Sequence, residues 1–298
     1  MNKKTSKFRG TGVAIVTPFK SSGDVDFEAY ERMINHVIEG GVDYIVALGT
    51  TGETPTLSKQ EKVKFIEFSV NKIGGRVPLV AGIGGNNTSE VVQTIQSMPL
   101  NGVSGILSVS PYYNKPQQEG IYLHFKAIAE ASPVPVILYT VPGRTGSNIA
   151  AATTIRLAMD FPNIAGIKEA SGNLDQIYQV LKQRPENFLV ISGDDGMTLP
   201  MLAAGADGVI SVVANGYPKE FSSMVNYCLE GDFARGREVH FQLIELINAL
   251  FQDGSPGGIK ALLEMKGLCQ NIVRLPVVPV NQTTRDLIKY LAEKIDIQ

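Results

Sequence analysis

Eight short apolar runs, rich in β-branched residues, recur along this chain at nearly even spacing and constrain its fold more than any other feature. They lie at residues 13–16, 44–48, 79–83, 106–109, 136–139, 164–168, 189–192 and 209–211. Apolar runs of this length are typical of buried strands. Their average spacing of about 28 residues is close to the length of one strand–helix unit, so the pattern predicts repeated βα units.

Segments with helical periodicity separate the runs. Ser58 and Glu61 form the pattern of a capping box and predict a helix that ends at Gly74. Asn173, with Gln176 three residues later, predicts another helix start. One face of a helix between the first two runs carries Tyr30, Met33, Ile34, Val37 and Ile38. A doubly wound open sheet more often has five or six strands, so eight units predict an α/β fold of the (β/α)₈ TIM barrel type.

The strand pattern stops after Ser211, and only helical segments follow. They are predicted at residues 219–229, 233–251, 259–269 and 284–295. A barrel needs one closing helix, and this is more than one. We therefore expect a catalytic barrel over residues 1–230 and a small C-terminal helical extension over residues 231–298.

Composition excludes several classes of protein. The net charge of −2 and pI near 6.0 are typical of a soluble globular protein, and the sequence shows no footprint of nucleic-acid binding. No apolar run approaches a membrane span, and the basic start leads into a strand-like stretch and not into an apolar signal core, so we expect a cytoplasmic protein. Cys228 and Cys269 form no CxxC pattern, and the three histidines show no ligand spacing. We expect free thiols and no protein-bound metal.

Residues that come directly after the runs should form one surface, because the active sites of such barrels lie at the carboxyl ends of the strands. That surface carries one amine, one guanidinium and several hydroxyls, in Gly49-Thr-Thr-Gly-Glu53, Ser110-Pro-Tyr-Tyr-Asn114, Tyr139, Arg144 and Lys168. Taken alone, the first segment is an ordinary turn, the tyrosine pair is loop packing, and the arginine is a solvated side chain. Their joint placement favours an active site.

Lys168 is the most informative of these residues because it ends a buried strand. Burial disfavours the charged form of an amine, and a neutral amine can attack a carbonyl to form a Schiff base. The alternative is a lysine that extends from a strand edge to solvent. Lys260 is a rival nucleophile, but we expect it on a polar-faced helix with nothing to make it neutral.

Schiff-base chemistry also needs proton-transfer groups and donors for the carboxylate of a keto acid. Tyrosine hydroxyls linked through Thr50 are suited to relay protons, and the Thr51 hydroxyl is suited to bind a carboxylate. Arg144 is suited to a second carboxylate, which it would bind bidentately. The residues alone therefore predict a Schiff-base lyase that acts on two acidic small molecules.

The whole chain resembles the pyruvate-dependent class I aldolase and lyase barrels, and most closely their dihydrodipicolinate synthase members. The motifs that carry the resemblance are Gly49-Thr-Thr-Gly-Glu53, Pro111-Tyr-Tyr-Asn-Lys-Pro116, Tyr139-Thr-Val-Pro-Gly-Arg-Thr-Gly146, Gly166-Ile-Lys-Glu-Ala170 and Gly208-Val-Ile-Ser211. The resemblance implies that Lys168 forms an imine with pyruvate, whose enamine adds to L-aspartate 4-semialdehyde in diaminopimelate and lysine biosynthesis. No cofactor is implied beyond this covalent Schiff base.

The resemblance also implies a role for each site residue. Tyr139 would be the proton donor and acceptor at the imine, and Thr50 and Tyr113 would complete the proton relay. Thr51 and Ile210 would contact pyruvate, and Arg144 would receive the carboxylate of the semialdehyde. The family places the tyrosine that matches Tyr113 in the site of a neighbouring subunit, which implies a homotetramer built from dimers.

Two departures from the family pattern bear on site detail and packing, and they leave the chemistry intact. Thr140 stands where the family commonly has asparagine, and Ser255-Pro-Gly-Gly258 replaces its usual Asn-Pro turn. N-acetylneuraminate lyase, a sister enzyme, usually carries Ser-Thr in place of Thr50 and Thr51 and lacks the arginine. That lyase and 2-keto-3-deoxy-sugar-acid aldolases remain alternatives, and a non-catalytic binding barrel is a third.

Feedback inhibition by L-lysine is a separate question. Asn86, Glu90 and Tyr112 match positions that bind this inhibitor in sensitive members of the family. Lys59 and Lys62 stand where some of those members have histidines. Two added ammonium groups would repel a cationic amino acid, although Glu90 offsets part of the repulsion. We expect weak or absent inhibition.

Overall fold

The fold is a closed barrel of eight parallel strands, in a computed structural model that describes residues 7–297. The strands follow chain order around the barrel, and β1 pairs with β8 to close it. They are β1 Gly10–Ala14, β2 Tyr44–Ala47, β3 Leu79–Gly82, β4 Gly105–Val109, β5 Val136–Thr140, β6 Ile164–Glu169, β7 Leu189–Ser192 and β8 Gly208–Ser211. The (β/α)₈ barrel expected from the spacing of the apolar runs is confirmed.

Helices alternate with the strands, and several residues cap the helix ends as the sequence predicted. The helices are α1 Phe27–Glu39, α2 Lys59–Ile73, α3 Thr88–Ser97, α4 Gln118–Ala131, α5 Pro142–Thr145, α6 Ala151–Asp160, α7 Leu174–Gln183, α8 Thr198–Ala203, α9 Pro218–Leu229, α10 Phe233–Phe251, α11 Gly257–Met265 and α12 Gln282–Asp296. Ser58 and Glu61 form the capping box of α2, and Gly74 ends it in the left-handed conformation. Asn173 caps α7 through Gln176 N.

The first strand begins earlier than the sequence indicated. The apolar run at residues 13–16 predicted a strand there, whereas β1 spans Gly10–Ala14. The N–H of Val16 donates to the Asn215 side chain, 3.1 Å away, and not to a neighbouring strand. Residues 15 and 16 are fully buried although they lie beyond the end of β1, and their burial alone made them look like strand.

Alternating side chains divide the core into two layers. Tyr44 and Val46 of β2 belong to one apolar cluster with Phe8, Ile137 and Ile191, which fills the barrel. The intervening Ile45 and Ala47 pack with the helices in the larger cluster. The interior is thus a packed core, and the carboxyl ends of the strands are where barrels of this type place their active sites.

Helices α9 to α12 come after the last strand. Helix α10 packs against α9 and against α12, and α11 packs against α10 and α12. We propose that the barrel and the extension divide after residue 230, between α9 and α10. The basic start of the chain, residues 1–6, lies outside the described residues. Among residues 7–297, no helix combines the length and the apolar composition needed to cross a membrane.

The prediction for Lys260 was wrong. Helix α11 was expected to have a polar face, but all its residues from Gly257 to Leu263 are buried, and Lys260 is 0% exposed. Its Nζ lies 2.5 Å from the Glu53 carboxylate. A lysine can be buried in this way because the carboxylate compensates its charge, which the sequence of the helix alone does not reveal.

Candidate active site

A cavity of about 320 Å³ opens at the carboxyl ends of the strands. Five of the predicted site residues line it, namely Thr50, Thr51, Tyr139, Arg144 and Lys168. They come from the ends of β2, β5 and β6, and from α5 just after β5. The structure therefore brings together the amine, the guanidinium and three of the hydroxyls that the sequence placed on one surface.

Lys168 lies near the end of β6, next to Tyr139 across the ladder with β5. The residue is 6% exposed, and its Nζ lies 4.4 Å from the centroid of the Tyr139 ring. Within residues 7–297, no carboxylate lies within ion-pair distance of Nζ. The amine therefore faces a cavity and an aromatic ring without a counter-ion.

Gly193 makes room for this lysine, and sequence reasoning missed it. A Cβ built on Gly193 would lie 3.0 Å from Cε and 3.1 Å from Cγ of Lys168, and 2.7 Å from Cβ of Ala170. Any side chain here would displace the lysine stem or the strand beside it. A glycine directly after the seventh run was the available signal.

Arg144 is exposed on the short helix α5 and lines the cavity. Buried hydroxyls beneath it hold this loop in place. The Thr145 hydroxyl lies 2.8 Å from the Ser147 carbonyl oxygen, and the Ser147 hydroxyl lies 3.2 Å from that of Ser110. These hydrogen bonds hold the backbone of the loop that carries the exposed Arg144 side chain.

Tyr113 is not brought into this cavity within one chain. Its side chain is 87% exposed, and its backbone has φ of 74°, in the left-handed region that is costly for a bulky residue. The N–H of Tyr113 donates to the Thr145 carbonyl, 3.3 Å away, which ties it to the loop of Arg144. Tyr113 therefore lies on the surface of the subunit and not in the cavity around Lys168.

Ile210 is 1% exposed and belongs to the cluster inside the barrel. The segment after it is fixed by Asp195, another residue that sequence reasoning missed. The Asp195 carboxylate accepts hydrogen bonds from the N–H groups of Val212 and Val213, at 3.0 and 2.8 Å. Burial raises the pKa of Asp195 to about 6. This carboxyl shapes the wall of the cavity next to Lys168.

Thr140 takes part in a chain of hydrogen bonds that is partly buried. The Thr140 hydroxyl donates to Asn148 Oδ1 at 3.0 Å, and Asn148 Nδ2 donates to Gln176 at 2.6 Å. Gln176 donates in turn to Glu169 at 2.9 Å, whose pKa is raised by burial. Asn148, eight residues later in the chain, thus brings a side-chain amide next to Thr140.

The departure at residues 255–258 has a packing reason. A Cβ on Gly258 would lie 2.2 Å from the carbonyl oxygen of Leu250. The glycine therefore lets the start of α11 approach the end of α10 closely. Ser255 and Pro256 line the cavities at the barrel mouth.

A second cavity, of about 520 Å³, contains the residues predicted to bind L-lysine. Asn86, Glu90 and Tyr112 line it, together with Lys59 and Lys62. Asn86 Nδ2 donates to the Tyr112 carbonyl at 3.3 Å. Burial lowers the pKa of Lys62, and the charge of Lys59 lowers it further. Two lysine side chains therefore share this cavity with one carboxylate, that of Glu90.

The barrel and its cavity define an enzyme of the (β/α)₈ class with its site at the carboxyl ends of the strands. The model of the dihydrodipicolinate synthetase family matches residues 7–295. The chain therefore belongs to the dihydrodipicolinate synthetase family, and it is a lyase. The resemblance drawn from its motifs is confirmed.

The relatives match more than nine tenths of the chain. A 4-hydroxy-tetrahydrodipicolinate synthase of Phocaeicola vulgatus is 48% identical over 293 residues, 98% of this chain and 99% of the relative. One of Flavobacterium psychrophilum is 54% identical over 275 residues, 92% of this chain and 94% of the relative. The structure of a monomeric dihydrodipicolinate synthase variant has a TM-score of 0.96 at 39% identity and covers 99% of both chains. These names favour the synthase over the sister aldolases.

Proposed function

We propose that the chain acts as a 4-hydroxy-tetrahydrodipicolinate synthase, condensing pyruvate with L-aspartate 4-semialdehyde in diaminopimelate and lysine biosynthesis. The observation that carries the proposal is Lys168, 6% exposed and without a counter-ion among the described residues, at the base of a cavity shared with Tyr139, Thr50 and Thr51. Such an amine is suited to covalent attack on a carbonyl.

Lys168 Nζ, in its neutral form, attacks C2 of pyruvate and forms a carbinolamine. Loss of water gives the protonated imine, and loss of a C3 proton gives the enamine. C3 of the enamine then bonds to the aldehyde carbon of the semialdehyde, whose oxygen takes a proton. The amino group of the second substrate attacks the imine carbon, closes the six-membered ring and releases Lys168.

The surrounding residues supply the proton transfers and the binding groups in this proposal. Tyr139, whose ring centroid lies 4.4 Å from Lys168 Nζ, exchanges protons at the imine, and Thr50 and the Tyr113 of a neighbouring subunit link it to solvent. The Thr51 hydroxyl binds the pyruvate carboxylate. Ile210, which is buried in the apolar cluster inside the barrel, is assigned an apolar contact with pyruvate. The exposed Arg144 suits the carboxylate of the semialdehyde, which must come and go.

We propose further that the enzyme works as a homo-oligomer, a tetramer built from dimers that share Tyr113, in the cytoplasm, without metal or cofactor. The 87% exposure and the left-handed backbone of Tyr113 support this proposal. A ring held in that conformation is pre-organised to enter a neighbouring site. We also propose weak or absent inhibition by L-lysine, because Lys59 and Lys62 line the cavity of Asn86, Glu90 and Tyr112.

A borohydride trap with pyruvate, combined with peptide mass analysis, tests the chemistry. We expect a reduced pyruvate adduct on Lys168, and consumption of L-aspartate semialdehyde in a parallel assay. An adduct without semialdehyde consumption would indicate a sister aldolase and a misassigned Arg144. The absence of any adduct would leave a binding barrel. Half-maximal inhibition by sub-millimolar L-lysine would contradict the expectation for feedback.

A further inference from the structure

The turn that carries Thr50 and Thr51 ends at a buried carboxylate. Glu53 is 3% exposed and adopts φ of 51°, in the left-handed region. The turn is closed by two backbone bonds, from Gly52 N to Gly49 O and from Glu53 N to Thr50 O, both 3.1 Å long. Thr50 and Thr51 line the cavity, while the carboxylate points into the protein.

The partners of this carboxylate all come from the C-terminal extension. Lys260 Nζ on α11 lies 2.5 Å from Glu53 Oε1, and the backbone N–H of Arg274 donates to Oε2 at 2.9 Å. Lys260 Nζ also donates to the Ile272 carbonyl at 2.7 Å and lies 4.2 Å from the centroid of the Phe19 ring. More than two hundred residues of chain separate Glu53 from Lys260 and from Arg274.

This buried ion pair is expected to contribute little net stability. Burial lowers the pKa of Lys260, and the Glu53 charge counteracts the effect. Fully buried pairs contribute little net stability, because desolvation offsets the attraction, whereas removing one partner is strongly destabilising. Their best-attested benefit is that they fix one arrangement of the groups they join.

We propose that the Glu53–Lys260 pair is a positioning device by which the C-terminal extension holds the turn at residues 49–53 and aims Thr50 and Thr51 at the substrate of Lys168. The role assigned to the two threonines rests on the proposed function. Neither Glu53 nor Lys260 lines the cavity around Lys168. Glu53 does border the adjoining cavity of about 360 Å³ at the barrel mouth, but its carboxylate is bonded to Lys260 and to the Arg274 N–H, so we class both residues as positioning residues.

Three variants separate positioning from plain stabilisation: Glu53→Gln, Lys260→Met and the double variant. Each single variant leaves one buried group without its partner, so we expect a lower melting temperature in both. The double variant removes both charges together, so its melting temperature should recover toward that of the parent. In the double variant no ion pair holds the turn at residues 49–53. Its kcat/KM should therefore stay about 10- to 100-fold below that of the parent chain, with a raised KM for pyruvate.

A matched control lies at the opposite end of the barrel. Arg184 and Asp207 form a partly buried ion pair just before β7 and β8, at the amino ends of the strands. Arg184→Met should lower the melting temperature without changing KM for pyruvate. The parent chain must first give the borohydride adduct on Lys168, and a parent without it would refute the proposed function separately.

The double variant decides the question. Recovered stability with a persistent KM defect and slower adduct formation supports positioning. Recovery of both stability and kcat/KM would show that the pair merely balances charge, and would overturn the proposal. A double variant as unstable as the single variants, or a control variant with the same KM defect, would also overturn it.

Discussion

Replacing Lys168 by methionine should abolish activity and raise stability together. The lysine is 6% exposed, and its amine contacts a ring face and the cavity without a counter-ion among residues 7–297. Burial of a polar group without a hydrogen-bond partner costs about 1–3 kcal/mol. We take the lower end, about 1 kcal/mol, because the amine borders a cavity and is not enclosed by apolar atoms on all sides. Methionine keeps the stem contacts and removes that cost.

Lys168→Ala provides the contrast, because it also removes the stem. Three methylene groups that pack near Gly193 are lost, at about 0.8 kcal/mol each, so the net change is a destabilisation of about 1 kcal/mol. For a chain of 298 residues, 1 kcal/mol corresponds to about 2 °C. We expect melting temperatures about 2 °C above the parent for methionine and about 2 °C below it for alanine.

Both variants should lose more than about 10⁴-fold in turnover, since each lacks the nucleophile. Calorimetry or dye-monitored melting measures the change in melting temperature. Consumption of semialdehyde, together with the borohydride trap, measures the loss of turnover. A methionine variant that retains turnover within about 100-fold of the parent would refute the covalent mechanism. A methionine variant less stable than the alanine variant would refute the energetic reasoning.

Other parts of the structure lead to three further predictions. Gly193→Ala should lower kcat/KM by about 10-fold or more, because its Cβ would lie 3.0 Å from Lys168 Cε; steady-state kinetics with a melting curve as control measures this. Burial lowers the pKa of His124 from 6.5 to about 4. As the pH falls from 6.5 to 4, His124 is protonated in the unfolded chain but not in the folded one, so the free energy of unfolding should fall by up to about 3 kcal/mol. His124→Leu should flatten that slope in urea unfolding, and an unchanged slope would contradict the assignment. Tyr113→Phe mixed with Lys168→Ala, each nearly inactive alone, should recover about a quarter of parental activity if dimers share the tyrosine; no recovery would place Tyr113 outside the neighbouring site.

The sequence predicted the barrel because a strand–helix unit leaves a periodic signal along the chain. Lys168, Tyr139, Thr50 and Thr51 were found for a related reason, since each lies at or just after the end of a run. The fold brings such positions to one edge without any further information. Their placement around one cavity could thus be predicted from spacing alone.

Spacing could not reveal which surfaces pack together at long range. Lys260 was expected on a polar helix face, because nothing in the sequence near it marks the Glu53 carboxylate, 207 residues away in the chain, that compensates its charge. Gly193 looked like an ordinary turn residue, and only the neighbouring strand shows what its missing side chain makes room for. The exposure of Tyr113 likewise depends on a conformation that no local pattern marks.

Arg274 gives the carboxyl-terminal segment a role in the order of events during synthesis. Its guanidinium bonds Gly23 O, Thr56 O and the Glu61 carboxylate, and its N–H bonds Glu53, so it joins loops made at the beginning of translation. Those loops are bonded to Arg274, which is more than two hundred residues further along the chain. Contacts this distant in sequence form late. A nascent chain should therefore acquire a complete catalytic mouth only after nearly all of it has left the ribosome.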